Sequence, residues 1–224
     1  MKKLLTVCSA AGFLLSTAIY ADASTNLSYA MGYKTGQALK AQSVTIHTNN
    51  FSKGLQDGYN GKKPIVSEQQ MQTALNNMQK EMVKKMQHTY QETAQKNEKE
   101  GQLFLAANAK KPGVETTASG LQYKILNKGD GASPTPNETV TVNYEGTLIN
   151  GQVFDSSYQR GKPATFKVGD VIKGWQEALT MMKPGATWML YIPANLAYGK
   201  QGAAGAIGPN ETLIFKVDLI SIKK

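Results

Sequence analysis

The stretch VTVNYEGTLINGQVFDSS, residues 140–157, decides the fold class of the C-terminal half of the chain. Apolar and polar side chains alternate from Val140 to Tyr144, which is the period of a half-buried β-strand. Asn150-Gly151 then stands between strand-forming residues and is a strong signal for a short hairpin. The stretch therefore predicts two antiparallel strands joined by a turn.

Further strands are predicted on both sides of this hairpin. The same alternation occurs at residues 121–125 and 213–219, and residues 188–192 form another β-rich run. Residues 174–182 favour one short helix, which Lys183-Pro184-Gly185 ends. We therefore predict an α+β fold in which an antiparallel sheet curls around one helix, over residues 112–224.

The N-terminal half is predicted to be all helical. Two short amphipathic patterns occupy residues 24–66, and Ser67-Glu68-Gln69-Gln70 resembles a capping box at the start of a third helix. No proline follows until Pro112, so residues 67–111 read as one long connecting helix. A helix of about 42 residues is roughly 63 Å long, which exceeds the diameter of a small domain.

The apolar stripe of this long helix is sparse. It contains Met71, Leu75, Met78, Met82 and Met86, and the almost wholly polar segment 87–101 that follows is interpreted as a solvated spacer. Such a stripe cannot stabilise a lone helix, because helices depend on tertiary packing. Either a partner chain covers the stripe, or the two short helices of the same chain do.

Residues 1–23 have the pattern of a secretory signal peptide. Positive Met1–Lys3 precedes a largely apolar stretch, and Ala21-Asp22-Ala23 supplies a cleavage site. The alternative is a retained membrane anchor, although the segment is short for a span. The single cysteine, Cys8, lies inside the segment, so a processed chain has no thiol chemistry. We expect an exported protein.

Charge and histidine content exclude several classes of function. The formal net charge is +9, but the lysines are scattered and no arginine cluster accompanies them, so no nucleic-acid partner is expected. The two histidines, His47 and His88, both lie in the N-terminal half. No metal site, Ser-His pair or cofactor site is therefore predicted for the C-terminal half.

A series of motifs in the C-terminal half closely resembles the FK506-binding-protein (FKBP) class of peptidyl-prolyl cis/trans isomerases. They keep the family's order and spacing over about 110 residues, which makes the series specific although each piece alone is weak. The motifs are Val142–Gly146, Gly151–Ser157, Val171–Trp175, Lys183–Gly185, Ala197–Gly199 and Ile207–Phe215.

The whole chain is also similar to the two-domain bacterial branch that contains macrophage infectivity potentiator (Mip) and FkpA-type proteins. Residues 27–32, LSYAMG, followed by a long helix, match that layout. The resemblance implies an isomerase acting on proline-containing polypeptides and a homodimer formed through the N-terminal domain. It also implies binding of FK506- or rapamycin-type macrolides and a location in the periplasm, the outer membrane or the cell surface.

The resemblance also implies a non-covalent apolar site. Trp175 forms its floor in this prediction, and the Tyr198 hydroxyl is available to a substrate carbonyl. Asp155 either meets the twisted carbonyl or anchors Tyr144. The predicted catalytic residues are Tyr144, Phe154, Asp155, Ile172, Trp175 and Tyr198, and the predicted substrate-binding residues are Phe166, Val171, Ile207 and Phe215.

Two segments depart from the family pattern. At residues 163–166, PATF, either Ala164 leaves one wall open or Phe166 fills it from a neighbouring position. The loop of residues 199–206 is small and flexible. An alternative function is also open, in which the chain is a holdase chaperone or surface adhesin that binds clients on its methionine-rich N-terminal cleft.

Overall fold

The computed structural model describes residues 12–203 and 205–223, with side chains from Ser24 onward. The chain forms two compact units, and the boundary between them falls at Lys84/Lys85, inside a long helix. The predicted signal peptide, residues 1–23, lies outside the described residues except for the backbone of 12–23. No helix in the described part is both long enough and apolar enough to cross a membrane.

The first unit is helical, as predicted. Helix α1 spans Gly12–Ala41, α2 spans Thr48–Tyr59, and α3 spans Glu68–Asn108 and continues into the second unit. The predicted capping box at the start of α3 is confirmed. The Gln70 backbone N–H donates to Ser67 Oγ (3.2 Å), and the Ser67 backbone N–H donates to Gln70 Oε1 (2.9 Å). Both otherwise unpaired N–H groups thus gain an acceptor.

The second unit is an antiparallel sheet of seven strands around one short helix, which confirms the predicted α+β class. Along the sheet the order is β1-β2-β6-β7-β3-β4, and β5 also pairs with β3. The strands are β1 Val114–Thr116, β2 Gln122–Asn127, β3 Thr139–Leu148, β4 Val153–Ser156, β5 Ala164–Lys167, β6 Thr187–Ile192 and β7 Leu213–Lys223, and helix α4 is Lys173–Met181.

The core of this unit lies between α4 and one face of the sheet. Strand β3 buries alternate residues along its length, as the sequence pattern predicts, and β6 and β7 do the same. Helix α4 buries Trp175, Ala178 and Leu179 against them. The hairpin between β3 and β4 also forms, with the Leu148 N–H donating to the Gln152 carbonyl (2.9 Å).

The second half of α3 packs one of its sides on the sheet of the second unit. The interpretation of residues 87–101 as a solvated spacer was wrong for that side, whereas the other residues of the segment are exposed, as predicted. Asn97 and Gly101 are both buried. Further along, Asn108 is fully buried and donates to the Gln122 side chain (3.0 Å), which in turn donates to the Leu105 carbonyl (2.9 Å). Polar composition was misleading here because the side-chain N–H groups of Asn97 and Asn108 find protein acceptors.

One carboxylate near this interface is perturbed. Burial raises the pKa of Glu211 above its ordinary value, and the negative charge of Glu100 on α3 raises it further, while Lys96 lowers it. Ionised Glu211 is therefore disfavoured in the folded chain relative to the unfolded chain.

Candidate functional site

A cavity of about 320 Å³ opens between α4 and the sheet. It brings together nine of the ten residues predicted for the site and adds Asp170, which sequence reasoning missed. The lining comprises Tyr144, Phe154, Asp155, Phe166, Asp170, Val171, Ile172, Trp175, Tyr198 and Phe215. Ile207 is 9% exposed and belongs to the core beside the cavity, outside this lining. Its role as a substrate contact stays a prediction.

Trp175 lies among three aromatic rings that meet it edge to face. The ring centroids of Tyr144 and Phe215 lie 5.2 Å from that of Trp175, at 90° and 82°, and that of Phe166 lies 5.9 Å away at 88°. Aromatic pairs prefer this geometry because a positive ring edge meets a negative ring face. Trp175 is 4% exposed, so the network holds it rigidly at the cavity.

Strands β3 and β4 contribute another wall of the cavity. Gly146 pairs in register with Phe215 on β7 and with Asp155 on β4. A methyl group at Gly146 would lie 2.6 Å from both Phe154 and Phe215, so only glycine admits these two rings side by side. The rings meet at 88° with 5.4 Å between centroids.

The position of strand β5 decides between the two alternatives for residues 163–166, an open wall at Ala164 or a wall filled by Phe166. Phe166 lines the cavity, and its ring lies 6.0 Å from that of Tyr144 and edge to face with Trp175. Ala164 is half-buried against the core and is not part of the lining. The wall is therefore filled by Phe166.

A polar network closes one edge of the cavity. The Tyr144 hydroxyl donates to one oxygen of Asp155, and Arg160 donates to the other. Arg160 also donates to the Tyr144 hydroxyl oxygen (2.8 Å), and its guanidinium lies 5.3 Å from the ring centroid of Tyr144. Asp155 therefore anchors Tyr144, one of the two roles predicted for it.

Electrostatics in this network favour a protonated Tyr144. Burial raises the pKa of the Tyr144 hydroxyl, and the hydrogen bond to Asp155 raises it further, whereas Arg160 lowers it. The same contacts raise the pKa of Arg160. Arg160 was not predicted from the sequence. The signal that could have identified it is a basic residue only five positions after Asp155.

Tyr198 reaches the cavity from the long connection between β6 and β7. It is 41% exposed, and its hydroxyl has no hydrogen-bond partner among the described residues. The hydroxyl is therefore free to donate to a molecule that enters the cavity.

The chemistry available in this cavity is binding and orientation. No histidine lies in its lining, and the part of the chain that is described holds no cluster of three His, Cys, Asp or Glu side chains suited to a metal. Asp155 is already engaged on both oxygens, and Tyr144 is held protonated. An apolar, rigid cradle with a free hydroxyl at its rim can hold a compact apolar ring and a neighbouring carbonyl.

Both parts of the chain match families of known proteins. Residues 131–220 match the family described as FKBP-type peptidyl-prolyl cis-trans isomerase, and residues 24–125 match the domain amino terminal to FKBP-type peptidyl-prolyl isomerase. The chain is 54% identical to the peptidyl-prolyl cis-trans isomerase Mip of Coxiella burnetii over 229 residues, covering all of both chains.

Two further similarities agree with this match. The outer membrane protein MIP of Legionella longbeachae is 46% identical over 231 residues, which covers 100% of this chain and 99% of that one. The crystal structure of FkpA from Escherichia coli superposes with a TM-score of 0.77 at 35% identity, covering 90% of this chain and 95% of that one.

Proposed function

This chain belongs to the FKBP-type peptidyl-prolyl cis-trans isomerases of the Mip and FkpA branch, and from that premise we propose that the aromatic cavity is its active site. The observation that carries the proposal is the lining itself. Six aromatic rings and two aliphatic side chains converge on a space of about 320 Å³, and two aspartates complete its lining.

The reaction that such a site accelerates is rotation about an X-Pro amide bond. Resonance sets a barrier of about 18–20 kcal/mol, because the twisted amide loses its conjugation. The twisted amide is also less dipolar, so water favours the planar ground state over it. A dry apolar cavity removes that preference, and each 1.4 kcal/mol of differential stabilisation gives about a tenfold rate increase.

We assign roles from the contacts around the cavity. Trp175 is the floor on which the proline ring rests, and Phe154 is a wall. The Tyr198 hydroxyl donates to a carbonyl of the bound polypeptide, since it is free and at the rim. Asp155 acts as a positioning residue, because Tyr144 and Arg160 occupy both of its oxygens.

A pair of substitutions on strand β4 tests the site. Phe154 lines the cavity, whereas its neighbour Val153 is 37% exposed and outside the lining. In a protease-free assay of a short X-Pro peptide with residues 24–224, we expect Phe154→Leu to lower kcat/KM about tenfold and Val153→Ala to change it less than about twofold. Equal rates for Phe154→Leu and the unmodified protein would remove the cavity from the mechanism.

For the N-terminal unit, we propose homodimerisation. From Ser24 to Lys84, Asp57 is the one described residue that is buried in the single chain. A helical unit without a core cannot offset the entropy cost of folding. Large apolar side chains stand exposed on all three helices, including Leu27, Tyr29, Met31, Leu55, Tyr59 and Leu75. The short helices of the same chain leave Leu75 exposed, which favours a second copy as the cover.

Sedimentation of residues 24–224 tests the dimer. We expect a dimer for the unmodified protein and a shift toward monomer for Leu55→Glu, which places a charge on the exposed apolar surface. Gln56→Glu adds the same charge one residue away and serves as the control. A monomer at every concentration would contradict the assignment.

The same exposed apolar surface supports a second candidate function, a holdase chaperone or surface adhesin activity. Met78 and Met86 remain exposed on α3, and methionine suits the binding of varied apolar partners. Aggregation suppression by residues 24–224 that survives Phe154→Leu would assign that activity to the N-terminal unit. Loss of suppression together with isomerase activity would assign it to the cavity.

Location and small-molecule binding complete the proposal. We propose an exported protein of the cell envelope, supported by the leader-like residues 1–23 and by relatives that are named outer membrane protein MIP and FkpA. Cell fractionation with antibody labelling of intact cells distinguishes the periplasm from the surface.

We also propose that the cavity binds FK506- or rapamycin-type macrolides, which then inhibit isomerisation competitively.

A further inference from the structure

The connection between strands β6 and β7, residues 193–212, presents Tyr198 to the cavity. At about 20 residues it is longer than most loops in compact domains, and a loop of that length needs anchors to hold one conformation. Its own bonds join its two limbs, since the Asn210 N–H donates to the Gly199 carbonyl (2.9 Å) and the Ala203 N–H donates to the Ile207 carbonyl (2.9 Å).

The second half of α3 supplies four anchors for this loop. The Tyr90 hydroxyl donates to the Lys200 carbonyl, and Asn210 donates to the Ala94 carbonyl (3.3 Å). The buried Asn97 amide donates to the Pro209 carbonyl (2.8 Å). At the fourth point Gly101 lies against Thr212, so close that a methyl group on Gly101 would lie 2.4 Å from Thr212 Oγ1. We call Tyr90, Ala94, Asn97 and Gly101 the anchor face.

The spacing of the anchor face makes it continuous. Its members are separated by four, three and four positions, so they share one side of the helix. They contact both limbs of the loop. Lys200 and Gly199 directly follow Tyr198 on one limb, and Pro209, Asn210 and Thr212 belong to the other.

We propose that the anchor face of α3 positions Tyr198 for catalysis, so that the functional isomerase unit begins near Lys85 rather than after Pro112. The inference rests on the proposed function of the cavity and deepens it. None of the four residues lines the cavity, and they act through the loop. A chain that begins at Val114 lacks all four anchors.

A compensating pair of substitutions tests the proposal in residues 24–224. Gly101→Ala places a methyl group against Thr212 Oγ1 and pushes the helix and loop apart. Adding Thr212→Ala removes that oxygen and leaves the Thr212 Cβ position 3.3 Å away, which small shifts accommodate. We expect Gly101→Ala to lower kcat/KM for an X-Pro peptide about threefold to tenfold and the double variant to recover most of it.

Hydrogen exchange at the Asn210 amide reports the loop itself, because that N–H closes its two limbs. We expect faster exchange in Gly101→Ala and recovery in the double variant. Tyr90→Phe removes one anchor from a side chain that is 44% exposed. It should therefore speed hydrogen exchange at the Asn210 amide without threatening the fold. Tyr158→Phe is its matched control, since Tyr158 is also 44% exposed and its hydroxyl donates to Asp218 instead.

A double-mutant cycle separates this inference from the proposed function. If the anchor face works through Tyr198, then Tyr198→Phe lowers kcat/KM less in the Gly101→Ala background than in the unmodified protein. Independent effects, or faster Asn210 exchange with an unchanged rate, would overturn the positioning role alone. An unchanged rate in Tyr198→Phe by itself would overturn the role assigned to Tyr198, and this inference with it.

Discussion

Substituting Gly146 by alanine tests the packing of the cavity wall, because it adds a single carbon atom there. The added methyl group would lie 2.6 Å from Phe154 Cζ and 2.6 Å from Phe215 Cε1. Carbon atoms in contact prefer about 3.5–4.0 Å, so both rings must retreat by about 1 Å. They cannot both do so freely, because Phe215 is also held against Trp175.

The expected cost follows from that overlap. Overpacking a core by one carbon costs about 1–3 kcal/mol, and for a unit of this size each kcal/mol lowers the Tm by roughly 3–5 °C. The rings that move are the walls of the cavity, and a displacement of about 1 Å can reduce catalysis up to a hundredfold. We therefore expect Gly146→Ala to lower both the Tm and kcat/KM, the latter by at least about tenfold.

Thermal unfolding and a peptide isomerisation assay of residues 24–224 measure the two effects. Thr147→Ala is the control, since Thr147 is the next residue on the same strand and lies on the other face of the sheet. A Gly146→Ala protein with the Tm and kcat/KM of the control would refute the argument that this wall exists only because position 146 lacks a side chain.

Three further predictions concern separate parts of the molecule. Asp155→Leu removes the acceptor of the Tyr144 hydroxyl, so we expect peptide kcat/KM to fall about tenfold while the chain stays folded, and an unchanged rate would contradict the positioning role. Because burial raises the pKa of Glu211, the folded chain holds that proton more tightly than the unfolded chain, and stability falls as pH rises through the raised pKa. Glu211→Gln should therefore unfold at a higher temperature than the unmodified protein near about pH 7 but not near about pH 4, and a constant difference would argue against this linkage. Ser67→Ala breaks the capping box with Gln70 and should cost about 1 kcal/mol in chemical denaturation at fixed protein concentration, whereas Ser67→Asp, which keeps an acceptor, should not.

Local signals in the sequence were enough for the secondary structure. The alternation from Val140 to Tyr144 predicted strand β3, Asn150-Gly151 predicted its hairpin, and Ser67 with Gln70 predicted the start of α3. Each signal depends on residues within one or two turns of each other, and their physical cause is equally local. The residue types that recur in the family motifs then predicted nine members of the cavity lining.

Tertiary structure decided what those residues touch. Whether Phe166 or an open space formed one wall depended on the register between β5 and β3. Asp155 and Arg160 are five positions apart, but only the folded hairpin brings both to the hydroxyl of Tyr144.

The long helix shows most clearly what the sequence alone determined and what it did not. Its start follows from the capping box and its length from the lack of proline, and the sequence predicted both. The polar composition of its second half predicted exposure to solvent, because a polar side chain without a partner prefers water. The fold instead brings loop carbonyls to that face, so Asn97 is buried with its hydrogen bond made and Gly101 admits Thr212. Partners that lie more than a hundred residues away leave no local trace, because burial of a polar group depends on what meets it in three dimensions.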